Sequence, residues 1–220
     1  IAIKLFQALG YGVEIAPIKD SGRTFISKGM VKRAKKLAKQ NIDKIKNLIN
    51  TQNVLVGIEP SSLLSFRDEY PSLVEEDIEQ LNSNIYLFDE FFAKEIEQNN
   101  ISAEQFTEKE EKILLHGHCQ QKALIGSVYM EKMLSLPKNY SVEVIPSGCC
   151  GMAGSYGYEK RHYEKSKQIA DLHLTKAINK ADKSTIIAAP GTSCREQIKH
   201  FTQRKALHPI EIMYNALKTK

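Results

Sequence analysis

The sequence predicts an α/β fold made of two pseudo-repeated, Rossmann-like modules, in which parallel sheets are flanked by helices. Short apolar runs rich in β-branched residues alternate with helical patterns along all 220 residues. A segment near the start of the chain recurs in the second half, as a duplicated module would. In the second half, cysteines follow the apolar runs, at the strand ends where a parallel sheet forms its ligand crevice.

Six runs are predicted to be strands because they are short, apolar and bounded by glycine, proline or polar residues. In chain order they are "YGVEIAP" (11–17), "NVLVGIEP" (53–60), "NIYLFDE" (84–90), "KILLHGHC" (112–119), "YSVEVIP" (140–146) and "STIIAAPG" (184–191). The helical patterns between them predict helices near 27–49, 89–98, 120–135, 158–179 and 208–218. This alternation favours parallel sheets covered by helices on both sides.

The repeat defines the predicted domains. Residues 11–22, "YGVEIAPIKDSG", align with residues 140–151, "YSVEVIPSGCCG", at a constant offset of 129 positions. In both halves a helix and then an apolar strand ending in proline follow this segment. The predicted division is a first repeat over 1–98, a polar linker over 99–112 and a second repeat over 113–220.

The two copies differ in their chemistry. Asp20 and Ser21 stand in the first copy where Cys149 and Cys150 stand in the second. The architecture is therefore interpreted as duplicated, with the cysteines present in the second copy alone.

Composition indicates a soluble globular chain. Hydrophobic residues make up 42% and charged residues 26%, and the formal net charge is +5. Much of the positive charge lies in "KRAKKLAKQNIDKIK", which we interpret as the solvated face of a helix, so no nucleic-acid binding is expected. The predicted buried stripe of that helix consists of Val31, Ala34, Ala38, Ile42 and Ile45.

The ends and the apolar runs bear on location. No apolar run is long enough to cross a bilayer, and no basic-then-apolar signal pattern opens the chain. The sequence begins without methionine on a stretch typical of a helix interior, so we expect a piece of a longer protein. A cytoplasmic location is expected, with peripheral membrane association left open.

All four cysteines are predicted to meet. Cys119 follows one predicted strand directly, Cys149 and Cys150 follow another after a short turn, and Cys194 follows a third. Since parallel strands end at one edge of a sheet, residues distant in sequence converge there. Four cysteines in a chain of this size are more typical of a metal or redox site than of a disulfide scaffold.

The spacing favours an iron–sulfur cluster over zinc. Zinc sites usually separate paired cysteines by two to four residues, whereas adjacent thiolates suit a cluster in which each takes a different iron. Zinc and redox-active or inert thiols stay open as alternatives.

Several longer motifs resemble a known family. They are "HGHCQQKAL", "SGCCGMAGSYGYEKRHYEKS" and "APGTSCREQI" with "ALHPIE", extended in the first half by "SGRTFISKG" and "GIEPSSLLSFRDEY". They resemble the C-terminal iron–sulfur portion of FAD-linked oxidases of the D-lactate and D-2-hydroxyacid dehydrogenase type. That portion is built from cysteine-rich CCG domains, which also occur in one subunit of heterodisulfide reductase and in one subunit of anaerobic glycerol-3-phosphate dehydrogenase.

The resemblance implies a ligand set. The family pattern is a lone cysteine, then Cys-Cys-Gly, then C-x-x-C, and four of its five cysteine positions are filled by Cys119, Cys149, Cys150 and Cys194. Gly191 stands at the fifth, which leaves four ligands, the number that suits an ordinary [4Fe–4S] cluster. In the first half Glu59 and Ser62 replace the C-x-x-C, so that crevice is expected to hold no such cluster.

The resemblance also implies an electron path. FAD is expected in an upstream domain of the same polypeptide, where a 2-hydroxy acid such as D-lactate or glycolate is oxidised. The cluster then passes electrons from flavin to an external acceptor, and the fragment alone is expected to be inactive. A zinc-stabilised docking module and a thiol–disulfide site at Cys149 and Cys150 are the competing functions.

Other residues are expected to support the centre. Gly148 and Gly151 are predicted to supply positive φ or close approach at the cysteine pair, and Arg195 to offset the charge of the cluster. His116 and His118 are expected to donate hydrogen bonds to the cluster or to carbonyls, with metal ligation as the alternative. His208 is expected to start the last helix, with a position lining the site as the alternative.

Overall fold

The computed structural model describes residues 1–218, which form short parallel strands connected by helices. The strands are β1 (Leu55–Gly57), β2 (Ile85–Leu87), β3 (Glu111–Leu115), β4 (Tyr140–Val144), β5 (Ile186–Ala188) and β6 (Ala206–Leu207). The α-helices are α1 (Ala2–Ala8), α2 (Arg23–Ser27), α3 (Val31–Ile45), α4 (Pro60–Arg67), α5 (Tyr70–Leu73), α6 (Glu79–Asn82), α7 (Phe88–Glu97), α8 (Cys119–Leu124), α9 (Val128–Leu134), α10 (Tyr163–Leu172), α11 (Leu174–Lys180), α12 (Thr192–Thr202) and α13 (Pro209–Ala216). Single 3₁₀ turns cover Ala103–Gln105, Tyr156–Tyr158 and Lys160–His162.

The chain divides into two compact units. One runs from Glu14 to Phe91, and the other combines Ile1–Val13 with the chain from Phe92 onward. The segment 99–112, predicted as a linker, contains a 3₁₀ turn and the start of β3, and its Ile101 and Phe106 are buried. The predicted domain boundaries remain a prediction.

The unit Glu14–Phe91 is built on a two-stranded parallel sheet. Strands β1 and β2 pair in register from Leu55 with Ile85 to Gly57 with Leu87. Helix α3 buries its predicted stripe except at Val31, which is 57% exposed. Val31 is the first residue of α3, so it lies beyond the end of the apolar surface against which the helix packs.

A buried hydrogen-bond network holds the turn at Asp20 and Ser21. Asn41 Nδ2 donates to the Asp20 carbonyl at 2.8 Å and to Tyr70 Oη at 2.8 Å. Tyr70 Oη in turn donates to the Ser21 carbonyl at 2.9 Å, and Gly22 N donates to Asp20 Oδ1 at 2.7 Å. These contacts give the first-half turn a conformation fixed by polar side chains.

The other unit is built on a four-stranded parallel sheet with the order β4-β3-β5-β6. Non-consecutive neighbours in a parallel sheet require crossover connections, which the intervening helices supply. One side-chain cluster of its core gathers residues from strands β3 and β5, from helices α11 and α12 and from the loops that carry cysteines. It includes Leu114, Ile145, Cys150, Met152, Leu174, Ile178, Ile187, Cys194 and Ile198.

The predicted α/β class with parallel sheets flanked by helices is confirmed, and individual elements differ from the sequence prediction. The predicted strand at 11–17 is wrong: no strand pairing among the described residues includes it, and a strand requires a hydrogen-bonded neighbour. The predicted helix 120–135 divides into α8 and α9 at Gly126, whose φ is +79°. The predicted helix 158–179 divides at His173 into α10 and α11. Within the described residues, no helix is long and apolar enough to cross a membrane.

Candidate metal centre

Three neighbouring strands end together at one edge of the four-stranded sheet. Leu115, the last residue of β3, pairs with Val144 on one side and with Ala188 on the other. These are also the last residues of β4 and β5, so the three following loops start at the same level of the sheet. Each of these loops leads to at least one cysteine.

The local structure differs at each cysteine. Cys119 is the first residue of α8, and Cys194 lies in the first turn of α12. Cys149 and Cys150 lie on the irregular segment after β4. Helix α12 lies outside the helical ranges that the sequence predicted.

The four cysteines are free thiols whose electrostatic interactions connect them in series. Cys119 interacts with Cys149, Cys149 with Cys150, and Cys150 with Cys194. Burial increases along this series: Cys119 is exposed and Cys149 half-buried, while Cys150 and Cys194 are 4% and 2% exposed. The structure thus brings together all four predicted ligands at a site that is open at one end.

The hydrogen bonds divide the thiols into donors and acceptors. Hydrogen bonds from Cys119 and Cys150 lower the pKa of Cys149 far below its usual range, against the opposing effect of burial. Cys150 has a single S–H proton, which it can donate to Cys149 or to Cys194, and its hydrogen bond likewise lowers the pKa of Cys194. The donated bonds and burial raise the pKa of Cys119 and of Cys150. Two thiolates that alternate with two thiols offer four sulfur donors to a soft metal centre.

Gly151 has the positive φ that the sequence predicted. Its φ is +97°, and its backbone N–H donates to Cys149 Sγ at 3.2 Å. An added Cβ would overlap the Ser166 carbonyl oxygen of α10 and stand 3.0 Å from Gln197 Nε2. The close neighbours that require glycine at position 151 are therefore groups of helices α10 and α12.

Gly148 lacks the predicted need for glycine. Its φ is outside the left-handed region, and an added Cβ would have no atom within 4 Å. The turn is held instead by Lys122, whose Nζ donates to the Ser147 carbonyl and, at 2.9 Å, to the Gly148 carbonyl. A role of Gly148 in cofactor binding remains a prediction.

His118 covers Gly191. A Cβ on Gly191 would stand 2.6 Å from His118 Cδ2 and 3.2 Å from Cys194 Sγ. Since the φ of Gly191 is −77°, the backbone itself would accept a side chain. The space beside Cys194 that a side chain at position 191 would need is occupied by an imidazole.

His116 is fully buried behind the cysteines. Its Nδ1 lies 2.8 Å from Ser147 Oγ, and its exposed fraction is 0%. Its Nε2 has no hydrogen-bond partner of normal geometry in residues 1–218. One ligand atom each from His116, Cys150 and Cys194 lie within 4.8 Å of one another.

The side chains of the remaining predicted site residues form hydrogen bonds with backbone groups. Arg195 Nη1 donates to the carbonyls of Ala189 and Pro190 at 3.0 and 2.6 Å, which fixes the turn between β5 and α12. Its predicted effect on the charge of a cluster stays a prediction. His208 starts α13 as predicted, because its Nδ1 accepts a hydrogen bond from Ile210 N at 3.1 Å.

Sequence reasoning missed three polar residues that support the cysteine turn. Gln197 Nε2 donates to the Cys150 carbonyl at 3.0 Å and to Ser166 Oγ at 2.8 Å, and Ser166 Oγ donates to the Gly151 carbonyl at 2.8 Å. Ser147 is the third, through His116. Ser147 stands beside the glycine–cysteine run, which was a usable signal, whereas nothing in the helical patterns distinguishes Ser166 or Gln197.

The donor set fits a metal centre. Four sulfur atoms and one buried imidazole nitrogen face one another, and three of these atoms already lie within 4.8 Å. Thiolate and imidazole donors select zinc, copper or iron–sulfur centres over hard cations such as magnesium. Because a buried nitrogen without a partner costs free energy, the arrangement is best satisfied when a metal occupies it.

Comparison with known families and proteins agrees with this geometry. Residues 113–199 match the family model CCG, described as a cysteine-rich domain. The chain is 28% identical over 217 residues to D-2-hydroxyglutarate dehydrogenase of Escherichia coli (strain K12). This alignment covers 98% of the chain and 21% of that protein. The enzyme of the same name from Pseudomonas putida is 29% identical over 214 residues, 96% of this chain and 20% of that protein.

A second kind of relative is one subunit of anaerobic glycerol-3-phosphate dehydrogenase. This subunit, from Escherichia coli (strain K12), is 27% identical over 218 residues, 98% of this chain and 54% of that protein. The chain therefore spans about a fifth of the first group of curated relatives and about half of the second. No solved structure matches the chain.

Proposed function

We propose that this chain, which carries a cysteine-rich CCG domain at residues 113–199, holds an iron–sulfur cluster that carries electrons in a larger oxidoreductase. Four free thiols follow the ends of three neighbouring strands that stop at the same level of the sheet, and this observation supports the proposal most directly. The ligands are Cys119, Cys149, Cys150 and Cys194. Such a cluster supplies one-electron transfer when it is bound.

The adjacent pair supports a cluster with several metal ions. Cys149 contacts Cys119 on one side, and Cys150 contacts Cys194 on the other. The pair thus faces two different partners, which suits thiolates that bind different irons. Four thiolates favour a [4Fe–4S] cluster.

The residues around the thiols hold and shield the site. Gln197 and Ser166 fix the backbone of the cysteine pair, while Lys122 fixes the preceding turn. Cys150 and Cys194 are shielded from water, and exposed Cys119 marks the side from which electrons enter or leave. This asymmetry suits a carrier that exchanges electrons with a group outside the domain.

The wider reaction is proposed from the relatives. Two of them are named D-2-hydroxyglutarate dehydrogenase, and the chain covers about a fifth of each. We place FAD and the oxidation of a D-2-hydroxy acid, in the class of D-lactate, glycolate or 2-hydroxyglutarate, in another part of the same protein. Electrons would then pass from flavin through the cluster to an external acceptor.

Zinc is the second candidate, and one observation favours it. The ligand atoms of His116, Cys150 and Cys194 lie within 4.8 Å of one another, close to the roughly 3.5–4 Å that separates two ligands of one tetrahedral zinc. In that case the domain would be a zinc-stabilised structural or docking module.

Metal and acid-labile sulfide analysis of anaerobically purified protein separates these functions. We expect about four irons and about four sulfides per chain, with none of them added by the first-half crevice at Asp20 and Ser21. Cys194→Ser should lose this iron and sulfide, whereas Ser193→Ala, on the same helical turn, should keep both. Stoichiometric zinc without sulfide would establish the zinc module, and about eight irons would show that the first crevice also binds a cluster.

A further inference from the structure

We infer that Nε2 of His116 is a ligand of the metal centre, together with Cys150 and Cys194. The centre would then have five donors, four thiolates and one imidazole, which is one more than an ordinary [4Fe–4S] cluster takes, so the inference replaces the ordinary cluster by a centre with five protein ligands. This ligand set rests on the proposed function, because it requires a metal at the four cysteines.

The environment of the ring supports ligation. The His116 side chain is fully buried, and Nε2 has no hydrogen-bond partner of normal geometry within the described chain. The ring nevertheless lies beside two of the thiols, because one ligand atom each of His116, Cys150 and Cys194 is within 4.8 Å of the others. An imidazole and two thiols gathered at this spacing are arranged as ligands of one metal ion are arranged.

The opposite side of the ring supports the same role. Nδ1 lies 2.8 Å from the hydroxyl oxygen of Ser147, which can accept a hydrogen bond from Nδ1–H. In the tautomer that donates this bond, Nε2 carries the lone pair, and metal-binding histidines commonly hold their second nitrogen in this way. Ser147 is itself buried, so its hydroxyl has few competing partners.

Position 191 explains why a nitrogen donor is needed. Glycine there offers no ligand, and His118 occupies the space that a side chain would use. His116 places a nitrogen donor beside Cys194, since one ligand atom of each lies within 4.8 Å of the other. The total of five donors equals the number in the cysteine pattern, with a neutral imidazole in place of one thiolate.

Pulsed EPR on the reduced, anaerobically purified protein tests the assignment. The protein is labelled with ring-¹⁵N histidine, and we expect the strong hyperfine coupling of a directly bound nitrogen. The coupling should persist in His118→Gln, the neighbouring and less buried histidine, and disappear in His116→Gln. The labelled wild type shows whether a histidine nitrogen is bound, and His118→Gln shows whether that nitrogen belongs to His118. The result therefore does not depend on how well a His116 variant folds.

A redox measurement adds an independent readout. His116→Cys would replace a neutral ligand by an anionic one, so the midpoint potential of the centre should fall. His118→Cys, which adds a thiol next to Cys119 without replacing the proposed ligand, is the control and should leave the nitrogen coupling in place.

The outcomes separate this inference from the proposed function. Full iron and sulfide with no strong ring-nitrogen coupling, or with a coupling that is lost in His118→Gln, overturns the ligand assignment and leaves the cluster standing. Zinc without sulfide overturns the cluster, and X-ray absorption then decides the ligand: a nitrogen neighbour lost in His116→Gln supports it, and a purely sulfur shell overturns it. Protein that binds no metal at all overturns both.

Discussion

The imidazole of His118 lies against the α-carbon of Gly191, so that a Cβ at position 191 would stand 2.6 Å from His118 Cδ2. The contact joins the N-cap residue of α8 to the N-cap residue of α12, beside Cys194. Because the backbone of Gly191 has an ordinary negative φ, what opposes a side chain there is its neighbours, first the His118 ring and then Cys194 Sγ at 3.2 Å.

The first prediction concerns this contact. Gly191→Cys should destabilise the protein by about 1–3 kcal/mol, because the new side chain overpacks against His118. In His118→Ala the space is free, so the double variant should be more stable than the sum of the two single changes, with a coupling of about 0.5–3 kcal/mol. Urea denaturation of the four proteins in the metal-free state measures the coupling. Gly148→Cys combined with His118→Ala is the control, since Gly148 has no neighbour that a Cβ would meet; equal coupling in both pairs would contradict the steric explanation.

The second prediction concerns the glycines of the cysteine turn. Gly151→Val should cost about 3 kcal/mol or more and prevent metal assembly, because a β-branched residue is strained at φ +97° and overlaps the Ser166 carbonyl. Gly148→Ala should change stability by less than about 0.5 kcal/mol, since neither its φ nor its surroundings require glycine. Denaturant midpoints and iron content after reconstitution check both variants. A Gly151→Val protein that matches Gly148→Ala would show that the left-handed backbone is unimportant here.

The third prediction concerns the buried tyrosine of the first-half turn. Burial, with a contribution from the nearby charge of Asp20, raises the pKa of Tyr70 to about 12, although the hydrogen bond from Asn41 opposes the shift. A raised pKa means that the neutral phenol is favoured in the folded state. The stabilisation that Tyr70 gives to the folded state through this shift is therefore fully present below the unfolded pKa of about 10. It is lost as the pH rises to about 12, and the free energy of unfolding falls by up to about 1.4 kcal/mol per pH unit.

Tyr70→Phe tests this linkage. The variant should lose about 1–3 kcal/mol at neutral pH, because the Ser21 carbonyl and the Asn41 amide lose a buried partner. Between pH 10 and 12 its free energy of unfolding should also fall less steeply than that of the wild type, because phenylalanine does not ionise. Urea denaturation at several pH values measures both effects, and Tyr158→Phe, an exposed tyrosine, is the control. An unchanged alkaline slope in Tyr70→Phe would assign the destabilisation to other groups.

The fourth prediction concerns the electron path. The chain of 220 residues alone should bind no FAD and oxidise no 2-hydroxy acid, because hydride removal requires an organic cofactor that we place elsewhere in the protein. In the complete flavoprotein, Cys149→Ser should leave the reduction of flavin by substrate intact and slow the reduction of an external acceptor. Stopped-flow flavin bleaching and steady-state acceptor reduction measure the two half-reactions separately. Wild-type rates in both would remove the cluster from the electron path.

The site was more predictable than the elements around it. The strand ends and the cysteines could be placed from the sequence because apolar β-branched runs mark buried parallel strands, and a parallel sheet gathers their carboxyl ends. The segment 11–17 has the same local pattern as β4, yet it is not a strand, because strand formation depends on a hydrogen-bonded neighbour that local sequence does not report. The glycines show the same limit: Gly148 and Gly151 look equivalent in sequence, but only Gly151 has positive φ and lies against α10.

The sequence by itself determined the α/β class, the edge of the sheet at which the cysteines meet and the soft character of the donor set, because these follow from local hydrophobic pattern and residue type. Only the tertiary structure decided which thiols contact each other, that Ser147 orients His116 and that His118 fills the space at Gly191. The physical reason is that such contacts join residues tens of positions apart, and their distances are set by how helices pack on the sheet.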